Sequence, residues 1–285
     1  MSAFRDPTSL LRLGYAEPTS STAALRIAAG RQSDVEEVLA EETPVTLAYN
    51  GAAHAVMMAT PADLEDFAVG FSLTEGLIES LTQLTRIEVV RYSRGIELQL
   101  EVPAEVAANA GQRSRRLSGR TGCGICGTES VDQVLRALPV VTSDIRIAPE
   151  AIGRAMYALA ERQPLNEATG AVHAAGWAHA DGTLAYVRED VGRHNALDKL
   201  VGALIRHGER AAEGFVVITS RGSFEMVQKA AILGVPLLAA VSAPTALAVR
   251  VAQASGIALG GFARDRRVTV YSHAERVEHR PGHEE

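Results

Sequence analysis

Lysine is nearly missing from this chain of 285 residues: of its 28 basic side chains only Lys199 and Lys229 are lysines, and the rest are arginines. Cysteine is as scarce, with two copies, Cys123 and Cys126. A zinc site takes four protein ligands, or three plus water, so two cysteines need histidines to complete one. No apolar run approaches the ~20 residues of a membrane span, so no membrane partner is expected. The N-terminus lacks the charged, apolar, then small pattern of a secretory signal. Positive charge is not in excess: the net charge of -6 disfavours general nucleic-acid binding by a basic surface. A lone Cys-x-x-Cys without a secretion signal leads us to expect a reducing, cytoplasmic setting.

What remains is ordinary in bulk and unusual in detail. A hydrophobic content of 47% is that of a globular protein, and the length allows two modest domains or one large one. The arginine bias can reflect genome composition. Yet both lysines fall in the two most motif-like segments of the C-terminal half, where an ammonium rather than a guanidinium is expected to be wanted.

Both cysteines sit in Thr121-Gly122-Cys123-Gly124-Ile125-Cys126-Gly127, preceded by Arg113, Arg115, Arg116 and Arg120 with no acidic residue among them. Positive potential favours the thiolate, the nucleophilic form. The glycines let the loop flex and let a large molecule approach its backbone. We read a mobile arm carrying a reactive sulfur. Histidine pairs that might join a zinc site (His173 with His179, His273 with His279, His279 with His283) all start well beyond the cysteines. A thioredoxin-type motif belongs near a βαβ pattern, whereas an Arg/Ser/Gly-rich segment precedes this one. A disulfide so short closes almost no loop, and burial suits neither the glycines nor the arginines. A solvated loop is the plain alternative for the arginines.

Along the chain we expect five segments. Residues 1–22 are polar and expected to be disordered. Residues 23–112 read as a small α+β domain: strands Leu25–Ala28, Val35–Leu39, Val45–Tyr49 and Ala53–Ala59, a turn at Asn50-Gly51, a helix from Pro61 to near Gly76, then a hairpin Ile87–Tyr92 and Ile96–Val102 across Ser93-Arg94-Gly95. His54, Tyr49, Met57 and Met58 read as packing residues. The composition shifts at Asn109, and residues 113–128 read as a flexible linker loop. A helix Glu129–Leu138 opens the next domain, residues 129–275, and residues 276–285 are a polar tail. In that domain helices at Ala151–Glu161, Val191–Arg206, Ser223–Leu233 and Pro244–Ala254 alternate with strands at Ala171–His179, Leu184–Arg188, Gly214–Ser220, Val235–Val241, Ile257–Phe262 and Val268–Ser272. Continuous apolar strands alternating with helices predict an α/β domain with a largely parallel sheet covered on both faces. In such sheets ligands bind beyond the carboxyl ends of the strands.

Three segments lie at those ends. In Glu189-Asp190-Val191-Gly192-Arg193-His194-Asn195-Ala196-Leu197-Asp198-Lys199, Asp190 is placed to cap a helix, and Asp198, one turn after His194, to orient its imidazole. A capped helix with surface ion pairs is the rival. In Thr219-Ser220-Arg221-Gly222-Ser223, the hydroxyls of Thr219, Ser220 and Ser223, with Gly222 and free N–H groups, predict an anion cradle; a simple N-cap at Ser223 is the rival. In Gly260-Gly261-Phe262-Ala263-Arg264-Asp265-Arg266-Arg267, an aromatic that can stack on a base or pterin precedes three arginines that can clamp phosphates, against a plain hairpin turn.

Taken together and in order, CGICG, EDVGRHNALDK, TSRGSFEMVQKAA and GGFARDRR resemble the FdhD family of formate dehydrogenase accessory sulfurtransferases. The resemblance covers nearly the whole chain beyond residue 24. It implies a cytoplasmic homodimer whose C-terminal domain has a cytidine-deaminase-like fold, with a mixed sheet and helices on both faces. It implies a sulfur carrier that takes persulfide sulfur from a cysteine desulfurase. The sulfur goes to the Mo-bis(molybdopterin guanine dinucleotide) cofactor, bound as a substrate that a guanine nucleotide should mimic, before insertion into formate dehydrogenase. Cys123 matches the persulfide-bearing cysteine and Cys126 its loop partner, either relaying sulfur or releasing it by forming a disulfide. Phe262, Ala263, Arg264, Asp265, Arg266 and Arg267 match the cofactor-binding stretch. A zinc deaminase is excluded by chemistry. It needs His-x-Glu before Pro-Cys-x-x-Cys, and here each His-x-Glu follows the cysteines while Gly122 stands in the proline's place. A non-catalytic cofactor chaperone and a dithiol redox protein remain as alternatives.

Overall fold

The computed structural model describes residues 17–117, 138–264 and 267–278. Cys123, Cys126, Asp265 and Arg266 lie outside the described residues, as does the expected helix at Glu129–Leu138 apart from Leu138. The chain begins with an antiparallel ribbon, β1 (Thr19–Ala28) and β2 (Arg31–Ala40). Its first strand starts inside the segment expected to be disordered; Thr19–Thr22 gain structure by pairing with Glu37–Ala40, which no local pattern announces. Leu25, Ile27, Val38 and Leu39 are exposed on this ribbon.

A four-stranded sheet follows, in the order β4-β3-β6-β5, from β3 (Thr43–Tyr49), β4 (Ala52–Ala59), β5 (Arg86–Tyr92) and β6 (Gly95–Glu101). Asn50 and Gly51 turn β3 into β4 with φ of 48° and 80°, the left-handed pair that a tight hairpin requires. Val45, Leu47, Tyr49, Ile96, Leu98 and Leu100 point to one face by the period of two. There they pack on Phe67 and Phe71 of α1 (Leu64–Thr74) and on Val106 and Ala110 of α2 (Ala104–Leu117). His54 is buried edge-on to Tyr49, as expected of a packing residue, whereas the Met58 side chain is exposed. Helix α1 starts at Leu64 rather than Pro61, behind an Asp63 with φ 52°. Helix α2 corrects the linker boundary: it runs on to Leu117, through the composition shift at Asn109. The alanines, arginines and glutamine of this stretch are good helix formers, and one glycine costs too little to stop them.

The C-terminal half holds α3 (Pro149–Glu161), the short α4 (Pro164–Thr169), β7 (His173–His179), β8 (Leu184–Asp190), α5 (Arg193–Arg206), β9 (Gly214–Ile218), α6 (Phe224–Leu233), β10 (Leu237–Ala240), α7 (Ala246–Ala254), β11 (Ala258–Arg264) and β12 (Arg267–Ser272). Its six strands are ordered β12-β11-β10-β9-β7-β8. Only the pairs β9–β10 and β10–β11 are parallel; β7–β9, β7–β8 and β11–β12 are antiparallel, so the sheet is mixed rather than largely parallel. The reason is local, because short turns such as the one at Gly182, φ 87°, can join only antiparallel strands. Leu197, Leu200, Met226, Val227, Ala248 and Ala252 from α5, α6 and α7 cover one face. Ile152, Ala155 and Leu159 from α3 cover the other. The fold is a mixed α/β one, with helices on both faces of the larger sheet.

Helix α1 is buried almost all round, because it lies between the two halves. One face meets the smaller sheet. The other carries Asp66, Gly70 and Thr74 at spacing four, and α5 presents Asp198, Gly202 and Arg206 at the same spacing. The two stripes meet with Asp66 beside Arg206, Gly70 beside Gly202 and Thr74 beside Asp198. A Cβ on Gly70 would sit 1.7 Å from the carbonyl oxygen of Asp198, and one on Gly202 1.8 Å from that of Asp66. Only glycine permits so close a crossing.

Candidate functional site

The segment EDVGRHNALDK divides between two tasks. Asp190, Asp198 and Lys199 face inward, at and beside the helix crossing, while Glu189 turns to the start of α4. Lys199 is fully buried and donates to Asp190 Oδ2 at 2.7 Å, to the carbonyl of Thr60 at 2.9 Å and to that of Glu189 at 3.4 Å. Asp190 also accepts from the N–H of Thr60 at 3.0 Å, from the N–H of Gly192 at 2.8 Å and from Asn195 Nδ2 at 3.0 Å. It ties β8 to the end of β4, and Gly192, not Asp190, stands at the N-cap of α5. Lys229 of α6 donates to both oxygens of Asp198 at 2.8 and 2.9 Å and to Thr74 Oγ1 at 2.9 Å, and pairs with Glu75 at 3.3 Å. Both lysines are thus buried ammonium groups with several acceptors around one nitrogen, a geometry that a planar guanidinium does not match. This bears out the reading that an ammonium is wanted at both positions.

Burial drives Asp198 above the usual aspartate range, against the pull of Lys229 and Thr74. The same burial opposes the Lys229 ammonium, but Asp198 and Glu75 outweigh it and hold Lys229 above the ordinary lysine value. We take the pair as ionised at neutral pH, since the carboxylate accepts both lysine contacts and the 2.6 Å bond from Thr74. The expected orienting of His194 by Asp198 is therefore corrected: Asp198 is committed to Lys229, and His194 Nε2 lies 3.1 Å from Glu225 Oε2. The two residues are a turn apart on α5 and meet two residues a turn apart on α6, Glu225 and Lys229. Glu189 turns away from both, accepting the N–H groups of Leu165 and Asn166 at 3.0 and 2.9 Å at the start of α4. Burial raises its pKa and those two N–H groups temper the rise.

The carboxyl ends of β9, β10 and β11 meet at one edge. The N–H of Thr245 donates to the carbonyl of Gly222 at 3.0 Å, and that of Phe262 to the carbonyl of Ser242 at 3.4 Å. Pro244 lies between Gly222 and Gly261; a Cβ on Gly261 would be 2.8 Å from its ring. The structure therefore brings Thr219–Ser223 and Phe262–Arg264 to the same edge, with the loop after β10 between them. The hydroxyls of the expected cradle are already engaged. Thr219 Oγ1 accepts the N–H of Ala174 at 2.9 Å, Ser220 donates to the carbonyl of Arg221 at 3.1 Å, and Ser223 donates to Glu225 at 3.1 Å. Glu225, which the sequence did not single out, thus places a carboxylate at the start of α6. Burial works to raise its pKa, but the hydrogen bond and charge of His194 win and hold it low.

At the far end of this edge the pairing of β11 with β12 is irregular between Gly261 and Arg264. Phe262 has φ 52° and an exposed ring, while Ala263 is buried. Irregular pairing of this kind re-aims side chains beside binding sites. Arg264 then stands directly opposite Arg267, both exposed. Like charges placed opposite each other cost energy until an anion joins them. His173 and His179, weighed as a zinc pair, occupy the two ends of β7, about 20 Å apart at the rise of an extended strand, so they cannot share an ion.

The fold is a mixed α/β one in which Thr219–Ser223 and Phe262–Arg264 share one edge of the larger sheet. The chain belongs to the FdhD/NarQ family, whose pattern matches residues 40–278. It is 55% identical over 249 residues to a protein of Xanthomonas campestris pv. campestris named sulfur carrier protein FdhD, covering 87% of this chain and 89% of that one. A protein of the same name from Bordetella petrii is 52% identical over 255 residues, covering 90% of this chain and 91% of its own length. The fold is similar to the crystal structure of a protein from Desulfotalea psychrophila described as a formate dehydrogenase accessory protein. The TM-score is 0.72 at 25% identity, covering 91% of this chain and 99% of that one. No helix among the described residues is long and apolar enough to cross a membrane.

Proposed function

We propose that this chain is a sulfur carrier serving formate dehydrogenase, moving sulfur from a cysteine desulfurase to the Mo-bis(molybdopterin guanine dinucleotide) substrate through a persulfide on Cys123. The observation that carries the reading is its 55% identity, over most of both chains, to a protein named for sulfur carriage. The chemistry is that of thiol exchange. The Cys123 thiolate attacks the outer sulfur of the donor's persulfide; that sulfur's bond to the donor breaks, the donor leaves as a thiolate, and Cys123 keeps the transferred sulfur. The arginines before the loop favour the attacking thiolate. Cys126 either relays the sulfur or releases it by closing a disulfide, which oxidises both thiols as the transferred sulfur is reduced.

Phe262 and Arg264 with Arg267 supply what a guanine dinucleotide needs, a ring to stack on and guanidinium groups for its diphosphate. Asp265, Arg266, Thr219, Ser220, Gly222, Ser223 and Ala263 complete the proposed binding stretch through main chain and charge. The deaminase-like assignment of the larger domain fits its mixed sheet, without deaminase chemistry. A homodimer fits the exposed apolar residues of the β1–β2 ribbon, and a cytoplasmic setting fits the free thiols.

The test is maturation of formate dehydrogenase with purified protein, desulfurase and cysteine, run beside guanosine diphosphate binding. Cys123→Ala should keep nucleotide binding and lose maturation. A variant that keeps both is the behaviour of a chaperone and would falsify the carrier reading.

A further inference from the structure

A second cluster at the same edge lies outside the stretch assigned above. Arg193 opens α5, and its Nε is buried with no hydrogen-bond partner among the described residues. His173 is half-buried beside it at the start of β7, and His194 follows on α5. Burial first, then the positive charges of Arg193 and His194, depress the His173 pKa, against the pull of Asp190. Asp190 cannot neutralise the group fully, because its carboxylate is engaged by Lys199. Among the described residues, Glu225 also faces this cluster, held by His194 and Ser223. Helices α5 and α6 both begin without a side-chain cap, and the 3.1 Å contact of His194 with Glu225 brings their first turns together. Two helix starts add N–H groups and positive dipole ends to the Arg193 guanidinium.

We propose that Arg193 and His173, with the joined starts of α5 and α6, bind a diphosphate group of the nucleotide substrate, as a second clamp beside the one at Arg264. This deepens the reading above and rests on it, since a substrate with two guanine dinucleotide arms carries two diphosphates. His173 starts β7 and Arg193 follows β8, three and four strand spacings from β11, about 14 and 19 Å, which sets the two clamps apart along one edge of the sheet. Glu225 sits where it opposes an incoming anion, so removing its charge should tighten binding while removing that of Arg193 loosens it.

Calorimetric titration of the full chain with pyrophosphate, guanosine diphosphate and guanosine tests this. Arg193→Gln should weaken the first two by about tenfold or more, the size of a charge-assisted hydrogen bond. Glu225→Gln, which keeps an acceptor for His194, should strengthen pyrophosphate binding several-fold. A melting curve for each variant reports folding separately. The inference is overturned by any of four results: a wild-type protein that ignores pyrophosphate, guanosine binding as tightly as its diphosphate, a folded Arg193→Gln with unchanged affinity, or a Glu225→Gln that binds more weakly. Loss of diphosphate binding in Arg264→Ala but not in Arg193→Gln removes this clamp and leaves the carrier reading intact. Failure to load sulfur on Cys123 does the reverse.

Discussion

At and beside the α1–α5 crossing Asp66, Asp190 and Asp198 each meet a buried or half-buried cation, whereas along the sheet edge formed by the carboxyl ends of β8, β9 and β11 the cations Arg193, Arg264 and Arg267 outnumber, among the described residues, the carboxylates left to face them. Both regions look alike as sequence, short and dense in charged residues. They differ in what completes them. The crossing is complete within the chain: Lys199 and Lys229 each have several acceptors, and Gly70 and Gly202 bring the backbones together. In the function proposed above, the edge is completed by the nucleotide substrate. Density of polar residues therefore marks places under constraint, and only the partners distinguish locking from binding.

The comparison is broken most directly at Lys229 and Asp198. Truncating either alone to Ala should cost about 3–5 kcal/mol in denaturant unfolding, because the other charge is left buried and alone. The paired change Lys229→Met with Asp198→Leu should recover most of that loss. If the single changes were harmless and nucleotide binding fell instead, the crossing would belong to the ligand site. Next in size, Gly202→Ala should lower stability by about 1–3 kcal/mol or more, since two helix backbones must move apart. Phe262→Ala should do the opposite of both: unfolding should stay within about 0.5 kcal/mol, while guanosine diphosphate binding should weaken by about 1–3 kcal/mol of lost stacking.

The smallest effect is in acid. Glu225 has its folded pKa held below the ordinary value of 4.5, so its contribution is present above that pH and is lost as pH falls through the folded value. Melting temperature should fall on acidification below about 4.5, and Glu225→Gln should blunt that part of the fall. An acid limb unchanged by the substitution would remove Glu225 from the account of this edge.

Much of this was legible in residue order. Strand and helix periods, the Asn50-Gly51 turn and the glycines after α5 and α6 locate most elements. The rarity of lysine pointed to two positions where an ammonium is wanted, though not to their burial. What was hidden depends on distance in space. The antiparallel pairs β7–β8 and β11–β12 follow from two hairpins at the sheet's edges, and β7 pairs antiparallel with β9 across β8 and α5 in the chain, none of which apolar runs alone distinguish from parallel pairing. Asp198 and His194 share a helix face by spacing and both meet α6, but each finds its own partner there, Lys229 and Glu225, one turn apart, which spacing on α5 alone does not declare. The matching stripes Asp66-Gly70-Thr74 and Asp198-Gly202-Arg206 were on the page, but neither declares its partner until the helices cross. Pattern alone did not bring His173 to Arg193.

The central claim, that Cys123 carries sulfur, is tested by intact mass. Reduced protein is incubated with a cysteine desulfurase and cysteine, beside Cys123→Ala and Cys126→Ala. The account predicts a gain of about 32 Da, removed by a thiol reductant, on the wild type and on Cys126→Ala but not on Cys123→Ala. A gain that depends on Cys126 instead would reverse the roles of the two cysteines. No gain on any of them, with a disulfide formed between Cys123 and Cys126, would contradict the claim and leave a redox protein or a chaperone.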